Sequence, residues 1–349
     1  MNDDLRLVFW ELTARCNLSC VHCRAEAQAE AAAGELTTAE VLAVARDIRA
    51  AGDPILILTG GEPLVREDFF DIARACSNLF TRVALATNGT LVDDAIARKI
   101  LASGIQRVSV SLDGAIAATH DAFRRIPGCF QDSLRGFDAL RRAGLSVQVN
   151  VTVAKHNLAE LPDILTLALA HGADAFHVFV LVPVGCGAEI SDAMRLSRPQ
   201  MEDVLRWLFD RSLEMQGRLH IKATCAPQYY RIMRQVARER KIELPSGGHG
   251  LQAMTRGCLA GSSVCFISRT GDVQPCGYLP LRVGNVRERK FKDIWEHAEE
   301  FLALRDTDRL KGKCGACGYR KICAGCRARA FAENADYLAE DPDCSYVPA

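Results

Sequence analysis

Short apolar segments alternate with longer amphipathic segments from residue 5 to about residue 182. Six apolar segments have the length of buried strands, and the segments between them repeat apolar residues at helical spacing. The expected strands are Leu5–Leu12, Pro54–Leu58, Arg82–Ala86, Gln106–Leu112, Ser146–Val153 and Phe176–Val182. Strict alternation of strand and helix predicts right-handed βαβ units and a parallel sheet. Because a closed TIM barrel needs eight such units, we expect an α/β fold with an open, partial (β/α)6 TIM-type barrel.

The rest of the chain changes character twice. Residues 191–257 are broken by Gly, Pro and Ser and carry two helical patterns, whereas residues 258–349 are rich in cysteine. The segment CFISRTGDVQPC has the pattern of a hairpin. We therefore expect a barrel domain at 1–190, a helical bridge at 191–257 and a C-terminal cysteine-rich domain at 258–349.

Charge and hydropathy narrow the possible partners. The 43 basic and 43 acidic residues cancel, so no basic excess points to nucleic acid or to an anionic membrane surface. No apolar stretch reaches the roughly 18 residues needed to span a bilayer. The start, MNDDLRLVFWELTARC, lacks the basic and long apolar regions of a signal peptide. We expect a cytoplasmic protein with no nucleic-acid partner and no membrane span.

Cysteine is abundant, with fifteen residues in a chain of 349. The count is odd and most cysteines stand in tight spacings, which favours metal ligation over disulfides. Cys16, Cys20 and Cys23 form C-x3-C-x2-C directly after the first expected strand. Three thiolates can hold three irons of a 4Fe–4S cube and leave the fourth iron open to a chelating ligand. A zinc site with His22 as the fourth ligand is the alternative.

This loop resembles the cluster motif of the radical SAM superfamily, whose members carry it after the first strand of a partial barrel. The segment GGEP follows the second expected strand, where that family binds the methionine part of S-adenosylmethionine (SAM). The resemblance implies SAM contacts at His22, Gly60, Gly61, Glu62, Pro63, Asn88, Ser111, Asp113 and Asn150. It also implies reductive cleavage of SAM to a 5′-deoxyadenosyl radical, which abstracts hydrogen from an unactivated carbon. Taken singly, most of these polar residues would be read as turn residues.

The cysteines from residue 258 onward resemble the SPASM domain, which carries auxiliary 4Fe–4S clusters in radical SAM enzymes. The run C-x2-C-x5-C-x2-C departs from the family pattern, whose last spacing is usually x3. The resemblance implies a nearer auxiliary cluster on Cys258, Cys265, Cys276 and Cys326. It implies a farther one on Cys314, Cys317, Cys323 and Cys344, which makes three clusters in all. A zinc ribbon is the alternative for the run, although it leaves the other four cysteines without a role.

Four further cysteines, Cys76, Cys129, Cys186 and Cys225, have no ligand role in this scheme. Cys76 and Cys129 are expected to be small buried apolar side chains. Cys225 lies in KATCAPQYY, beside the expected active site, and its role stays open.

Longer stretches, among them HIKATCAPQYYRI and TRGCLAGSSVCFIS, resemble the radical SAM haem synthases of the siroheme-dependent pathway. The resemblance covers nearly the whole chain. It implies oxidative decarboxylation of two propionates of iron-coproporphyrin III to vinyls, with an iron-porphyrin substrate and a low-potential electron donor such as flavodoxin or ferredoxin. The expected substrate contacts are His177, Lys222, Tyr229, Tyr230, Arg231, His249 and Arg256.

Several other functions fit parts of the same pattern. A related tetrapyrrole enzyme would act on didecarboxysiroheme or in haem d1 synthesis, and a SPASM peptide-modifying enzyme would act on a peptide. A non-catalytic iron–sulfur protein is a different class. The GGEP segment and the open-site cysteine motif argue against that class, because electron transfer alone needs no site for SAM.

Overall fold

The computed structural model describes residues 4–244 and 256–348. Its strands are β1 (Leu7–Glu11), β2 (Ile55–Thr59), β3 (Val83–Thr87), β4 (Arg107–Ser111), β5 (Ser146–Val153), β6 (Ala175–Val180), β7 (His220–Thr224), β8 (Val264–Ile267), β9 (Asp272–Gln274) and β10 (Gly284–Asn285). The helices of the first half are α1 (Thr38–Ala51), α2 (Phe69–Leu79), α3 (Asp94–Ala102), α4 (Ala117–Arg124), α5 (Cys129–Arg142) and α6 (Leu161–Ala170). Those of the second half are α7 (Cys186–Glu189), α8 (Ser191–Met194), α9 (Arg198–Glu214), α10 (Gln228–Arg240), α11 (Phe291–His297), α12 (Glu299–Arg305), α13 (Gly312–Ala316) and α14 (Arg327–Asn334).

All ten strands form one open sheet in the order β10-β9-β8-β1-β2-β3-β4-β5-β6-β7. Strands β1 to β7 run parallel to their neighbours, which confirms the expected open barrel of βα units. The expected hairpin is present as β8 and β9, which pair antiparallel. Strand β8 also pairs in parallel with β1, so the cysteine-rich region extends the barrel sheet.

The sheet does not follow the domain limits expected from the sequence. Strand β7 lies inside residues 191–257, the expected helical bridge, and it continues the sheet beyond β6. Strand β8 lies inside the C-terminal region, yet its partner is the first strand of the chain. The three parts therefore share one sheet.

The two faces of the sheet differ in exposure. Alternate residues of each strand are fully buried, and they pack with apolar helix residues such as Ile48, Ile100 and Leu140. Residues at the intervening positions are mostly half-buried and line the other, inner face. The register places Ser111, Asn150, His177 and Lys222 in one row across that inner face, from β4 to β7.

Local capping explains where the expected helices begin. At the start of α1, the Thr37 hydroxyl oxygen accepts from the Glu40 backbone N–H. The Glu40 carboxylate in turn accepts from the Thr37 backbone N–H, which completes a capping box. Ser197 and Gln200 form the same arrangement before α9. Helix α4 was not expected, because it is short and its N-cap, Ile116, offers no side-chain bond.

In the ranges 4–244 and 256–348, no helix is long and apolar enough to cross a membrane.

Candidate active site

The loop after β1 carries the first cysteine motif, Cys16, Cys20 and Cys23. The Cys16 backbone N–H donates to the carbonyl of Gln28 at 2.8 Å, which folds the loop back on itself. The N–H groups of Leu18 and Ala27 donate to the sulfurs of Cys16 and Cys23, each at 3.4 Å. Hydrogen bonds to sulfur are among the means by which proteins tune iron–sulfur clusters.

The GGEP segment lies directly against this loop. The Gly61 N–H donates to the Thr13 carbonyl at 2.7 Å. A Cβ atom on Gly61 would lie 2.4 Å from the Arg15 carbonyl oxygen, and one on Gly60 would lie 2.9 Å from that of Thr13. The glycines are thus required by contact between two backbones of the chain itself. Pro63 then begins a short 3-10 turn.

Glu62 is fully buried and held at both carboxylate oxygens. One oxygen accepts from the Thr87 hydroxyl at 2.8 Å and the Leu64 N–H at 3.2 Å, and the other accepts from the Asn88 N–H at 2.8 Å. Burial raises the pKa of Glu62 to about 7, against the lowering effect of these bonds. The carboxylate is therefore positioned before any ligand arrives.

Arg124, a residue that the sequence reading missed, connects the cysteine loop to Asp113. Its guanidinium donates to the Cys20 sulfur at 3.5 Å and to a carboxylate oxygen of Asp113. The other Asp113 oxygen accepts from the Thr152 N–H at 2.7 Å. Burial favours the neutral form of Asp113, but the Arg124 charge, together with His22, His120 and the Thr152 hydrogen bond, outweighs it and lowers the pKa of the carboxyl. Arg124 lies at the end of α4, the helix that the sequence did not indicate.

His22 forms part of a stack of planar rings. Its ring lies 4.1 Å from that of Phe123 with an interplanar angle of 8°, and Phe123 stacks on His156 at 3.9 Å. The Nε2 atom of His22 is 3.7 Å from an Asp113 oxygen. Burial lowers the pKa of His22 to about 3, so the imidazole is neutral at physiological pH.

The three remaining residues expected to contact SAM lie on or directly after the middle strands: Asn88 follows β3, Ser111 ends β4 and Asn150 lies within β5. The Asn88 side-chain amide donates to Asn17 in the cysteine loop at 2.9 Å, and its nitrogen is 4.0 Å from the Cys16 sulfur. Ser111 and Asn150 are register partners on β4 and β5. The structure thus gathers polar groups from β2 to β5 at one edge of the sheet, beside the cysteines.

The farther cysteine group is brought together as expected from the resemblance. One small pocket is lined by Cys314, Cys317, Cys323 and Cys344. The Asp341 N–H donates to the Cys314 sulfur at 3.3 Å, and the Tyr319 N–H donates to the Cys317 sulfur at 3.4 Å.

The nearer cysteine group differs from the expected set. Burial is the main cause that raises the pKa of the Cys276 thiol to about 12, and the neighbouring thiols of Cys258 and Cys326 contribute in the same direction. Cys265 is apart from these three residues. It lies on β8 in the buried face of the sheet, as the register partner of Val8 within the main apolar core. Burial is the only cause that raises its pKa, with no other thiol contributing. The assignment of Cys265 as a ligand does not fit this position.

Asp341 connects the two groups. Its carboxylate accepts from the Cys326 N–H at 2.6 Å, while its own N–H donates to the Cys314 sulfur at 3.3 Å. Asp341 and Arg329 are both fully buried and form an ion pair at 3.3 Å. The side chain therefore fixes a ligand of each group relative to the other.

Comparison with known proteins agrees with this geometry. The Radical SAM superfamily matches residues 10–168, and SPASM, an iron–sulfur cluster-binding domain, matches residues 258–327. The AdoMet-dependent heme synthase of Methanosarcina barkeri is 51% identical over 348 residues, covering 100% of this chain and 98% of the relative. The protein of the same name from Nitratidesulfovibrio vulgaris is 47% identical over 98% of this chain and 93% of the relative.

The chain belongs to the radical SAM superfamily. It is a radical SAM enzyme with a SPASM domain, and the resemblance to radical SAM haem synthases is confirmed. Among solved structures, Streptococcus suis SuiB bound to S-adenosylmethionine matches with a TM-score of 0.76 over 99% of this chain and 78% of SuiB. That pair shares 18% sequence identity, so the match supports the fold alone.

The donor sets of this radical SAM enzyme fit clusters better than single ions. Within the described residues, no three His, Cys, Asp or Glu side chains converge on a position that could hold one metal ion. The ligands of a 4Fe–4S cube bind separate irons at its corners and stand farther apart than the ligands of one zinc. The match to SPASM, an iron–sulfur cluster-binding domain, favours clusters over a zinc ribbon in the C-terminal region.

The residues expected to contact substrate separate into two sets. His177 and Lys222 lie on the inner face of the sheet, in the same row as Ser111 and Asn150. The other described residues of the expected substrate set lie elsewhere and already contact other groups of the protein. Tyr229 contacts Ser212, Tyr230 packs on Tyr229, Arg231 pairs with Glu202 beside the farther cysteine group, and Arg256 donates to the carbonyls of Cys258 and Leu304. His249 lies outside the described residues.

Proposed function

We propose that this radical SAM enzyme is a haem synthase that converts two propionates of iron-coproporphyrin III to vinyl groups. Relatives named AdoMet-dependent heme synthase match almost the whole chain and support this proposal. The structural observation that carries it is a set of half-buried basic side chains on the inner face of the sheet, in line with the residues expected to contact SAM.

Lys222 is the central member of this set. Within the described part of the chain its ammonium has no hydrogen-bond or ion-pair partner, and burial lowers its pKa. The charge of Lys222 also acts on His177, whose Nε2 is buried without a partner. Arg107 adds a second cation that acts on His177 and His220. A half-buried cation without a counter-charge in the described residues is poorly solvated, so the site is suited to an anionic ligand.

A carboxylate-bearing substrate matches these groups. Coproporphyrin carries four propionates, of which two are retained in protohaem. Lys222 and Arg107 would bind a carboxylate, and His177 could donate from Nε2 only if its other nitrogen accepts. The side-chain amide of Gln148 lies 3.0 Å from His177 Nδ1 and could supply that bond.

At the other end of the site, the chain would hold SAM. Cys16, Cys20 and Cys23 would bind three irons of the cluster, and Glu62 would accept from the SAM ammonium. Asp113, kept ionised by Arg124, would accept from ligand hydroxyl groups. Bound together, SAM and the reduced cluster supply the 5′-deoxyadenosyl radical. The chain itself contributes the position of SAM relative to the inner-face cations.

The electron balance gives the cysteine-rich region a role. Removal of a hydrogen atom from the propionate β-carbon and loss of carbon dioxide yield a vinyl group only if one further electron leaves the substrate. We propose that the cysteine-rich region holds two auxiliary 4Fe–4S clusters, which makes three clusters in all. One of the auxiliary clusters would accept this electron. A low-potential donor such as flavodoxin or ferredoxin would supply the electron for SAM cleavage. All fifteen cysteines are free of disulfides, which suits a reducing cytoplasm.

Anaerobic turnover with iron-coproporphyrin III and SAM tests the function directly. Mass spectrometry should show loss of two carbon dioxide molecules and four hydrogen atoms from the porphyrin, with 5′-deoxyadenosine formed. If the enzyme instead converted didecarboxysiroheme and left iron-coproporphyrin III unreacted, the function would be that of a related tetrapyrrole enzyme. A shifted Soret band on mixing would report porphyrin binding without turnover.

Replacing Lys222 with Met tests the inner-face site. The variant should bind iron-coproporphyrin III more weakly in a Soret titration, by about tenfold for the loss of one charge-assisted bond. Lys292→Met, on the exposed side of α11, is the matched control and should bind normally. Equal affinity in the two variants would place the substrate carboxylates elsewhere.

A further inference from the structure

We propose that Cys225 is the fourth ligand of the nearer auxiliary cluster and that it takes the place expected for Cys265. This inference rests on the proposal of an auxiliary cluster at Cys258, Cys276 and Cys326. It adds a ligand from a segment that precedes the SPASM match by more than thirty residues.

The packing of Cys225 places it with the other cysteines. It belongs, with Cys276 and Cys326, to one apolar cluster around Leu279 and Val182. This cluster is separate from the main core that contains Cys265. Two of the three expected ligands of the nearer group therefore share a packed neighbourhood with Cys225.

Electrostatic interactions extend that neighbourhood to the third ligand. The Cys225 thiol is an electrostatic neighbour of the thiols of Cys326, Cys276 and Cys258. The same three residues act on one another. Cys225 is thus close to every member of the group, which Cys265 is not.

The backbone at Cys225 supports a functional role. Strand β7 ends at Thr224, and Cys225 follows with φ of +56°, in the left-handed region. Residues other than Gly, Asn and Asp seldom adopt this conformation, which is enriched where a site requires it. The turn carries the chain from the sheet to α10 and places the thiol at the end of β7, toward the cysteine-rich region.

The position of Cys265 explains why it cannot take this role without a rearrangement. Successive side chains of a strand point to opposite faces. On β8, Phe266 pairs with Phe9 on the inner face, whereas Cys265 pairs with Val8 on the buried face. Turning Cys265 toward the other cysteines would require a one-residue shift of β8 against β1.

Four thiolates change what the nearer cluster can do. Each iron would have a protein ligand, so no iron would be open for a substrate carboxylate to bind. The first cluster, with three cysteines, keeps one open iron. The nearer auxiliary cluster would then exchange electrons without direct coordination of substrate.

The test compares Cys225→Ala with Cys265→Ala in a chain whose Cys16, Cys20 and Cys23 are all replaced by Ala. This background removes the first cluster, so iron, acid-labile sulfide and electron paramagnetic resonance (EPR) spectra report only the auxiliary clusters. Cys225→Ala should lose about one to four of the roughly eight irons and change or remove the EPR signal of the nearer cluster, while the signal of the farther cluster stays. Cys265→Ala should keep both iron content and spectrum.

Two further results make the comparison decisive. Cys225→Ser, which keeps the size and can ligate weakly, should retain more iron than Cys225→Ala but with an altered spectrum. An unchanged spectrum and iron content in both Cys225 variants would overturn the inference, as would equal losses in Cys225→Ala and Cys265→Ala. These measurements need no porphyrin, so they remain valid if the proposed substrate is wrong.

Discussion

The first cysteine loop and the C-terminal cysteine groups are built in different ways. The three thiols of the first loop come from one short segment after β1, and local N–H···S bonds hold two of them. The C-terminal thiols come from segments scattered between Cys258 and Cys344, linked by the buried Asp341. A local motif can be read from spacing, whereas a site assembled from distant segments depends on how those segments pack.

The two regions meet at Glu11, the last residue of β1. Its buried carboxylate pairs with Arg24 of the cysteine loop at 3.0 Å and with Arg269, just after β8, at 2.5 Å. The Arg24 guanidinium also lies over the Phe266 ring, 4.5 Å from its centroid. The Glu11 side chain thus connects the first cysteine loop to β8, the strand that attaches the SPASM region to the sheet.

The largest difference between the two regions is expected when Cys16, Cys20 and Cys23 are all replaced by Ala. The first loop alone should hold the cluster that cleaves SAM, so 5′-deoxyadenosine formation should cease. The C-terminal groups share none of these ligands, and iron should fall from about twelve to about eight per chain. Survival of SAM cleavage, or loss of most of the iron, would show that the two regions are not independent.

Replacing Cys344 with Ala is expected to act in the opposite direction. The variant should still form 5′-deoxyadenosine but make little protohaem. The reason is that the farther cluster, a proposed acceptor of the electron left after decarboxylation, is disrupted. Both products should be quantified in protein shown by circular dichroism to be folded, with Cys76→Ala as the control. Cys76 is fully buried in α2 and belongs to neither cysteine group. Normal coupling in the folded Cys344 variant would give the farther cluster a purely structural role.

The junction itself is tested by Glu11→Gln. Loss of the carboxylate charge leaves Arg24 and Arg269 without their buried partner, and the free energy of unfolding should fall by about 3 kcal/mol. Asp94→Asn removes an exposed ion pair with Arg142 and should cost less than about 1 kcal/mol. Urea denaturation of anaerobically prepared protein measures both. Similar losses in the two variants would mean that Glu11 does not connect the regions energetically.

A smaller effect is expected from pH at the first site. Burial raises the pKa of Glu62 to about 7, so the carboxylate is ionised above that pH and increasingly neutral below it. Because the SAM ammonium prefers the ionised form, SAM affinity should be level above pH 7. It should then fall by up to about tenfold per pH unit below pH 7. Equilibrium binding of SAM between pH 5.5 and 8.5 measures this trend, and Glu62→Gln should remove it.

Much of the barrel and of the first site follows from local pattern. The six expected strands are present as short apolar segments, and β2 and β3 alternate buried and half-buried positions throughout. The GGEP segment is similarly local, although the structure shows that its glycines contact the Thr13–Arg15 backbone. Helix α4 lacks a side-chain cap, so Arg124 escaped notice.

The sequence by itself determined the βα barrel and the first cysteine motif, and its resemblance to the SPASM domain implied two groups among the C-terminal cysteines. Only the tertiary structure decided that β8 pairs with β1, which turns Cys265 into the core, and that β7 brings Cys225 to Cys276 and Cys326. The physical reason is that side-chain direction on a strand depends on register with a distant partner. Spacing along the chain carries no information about that register.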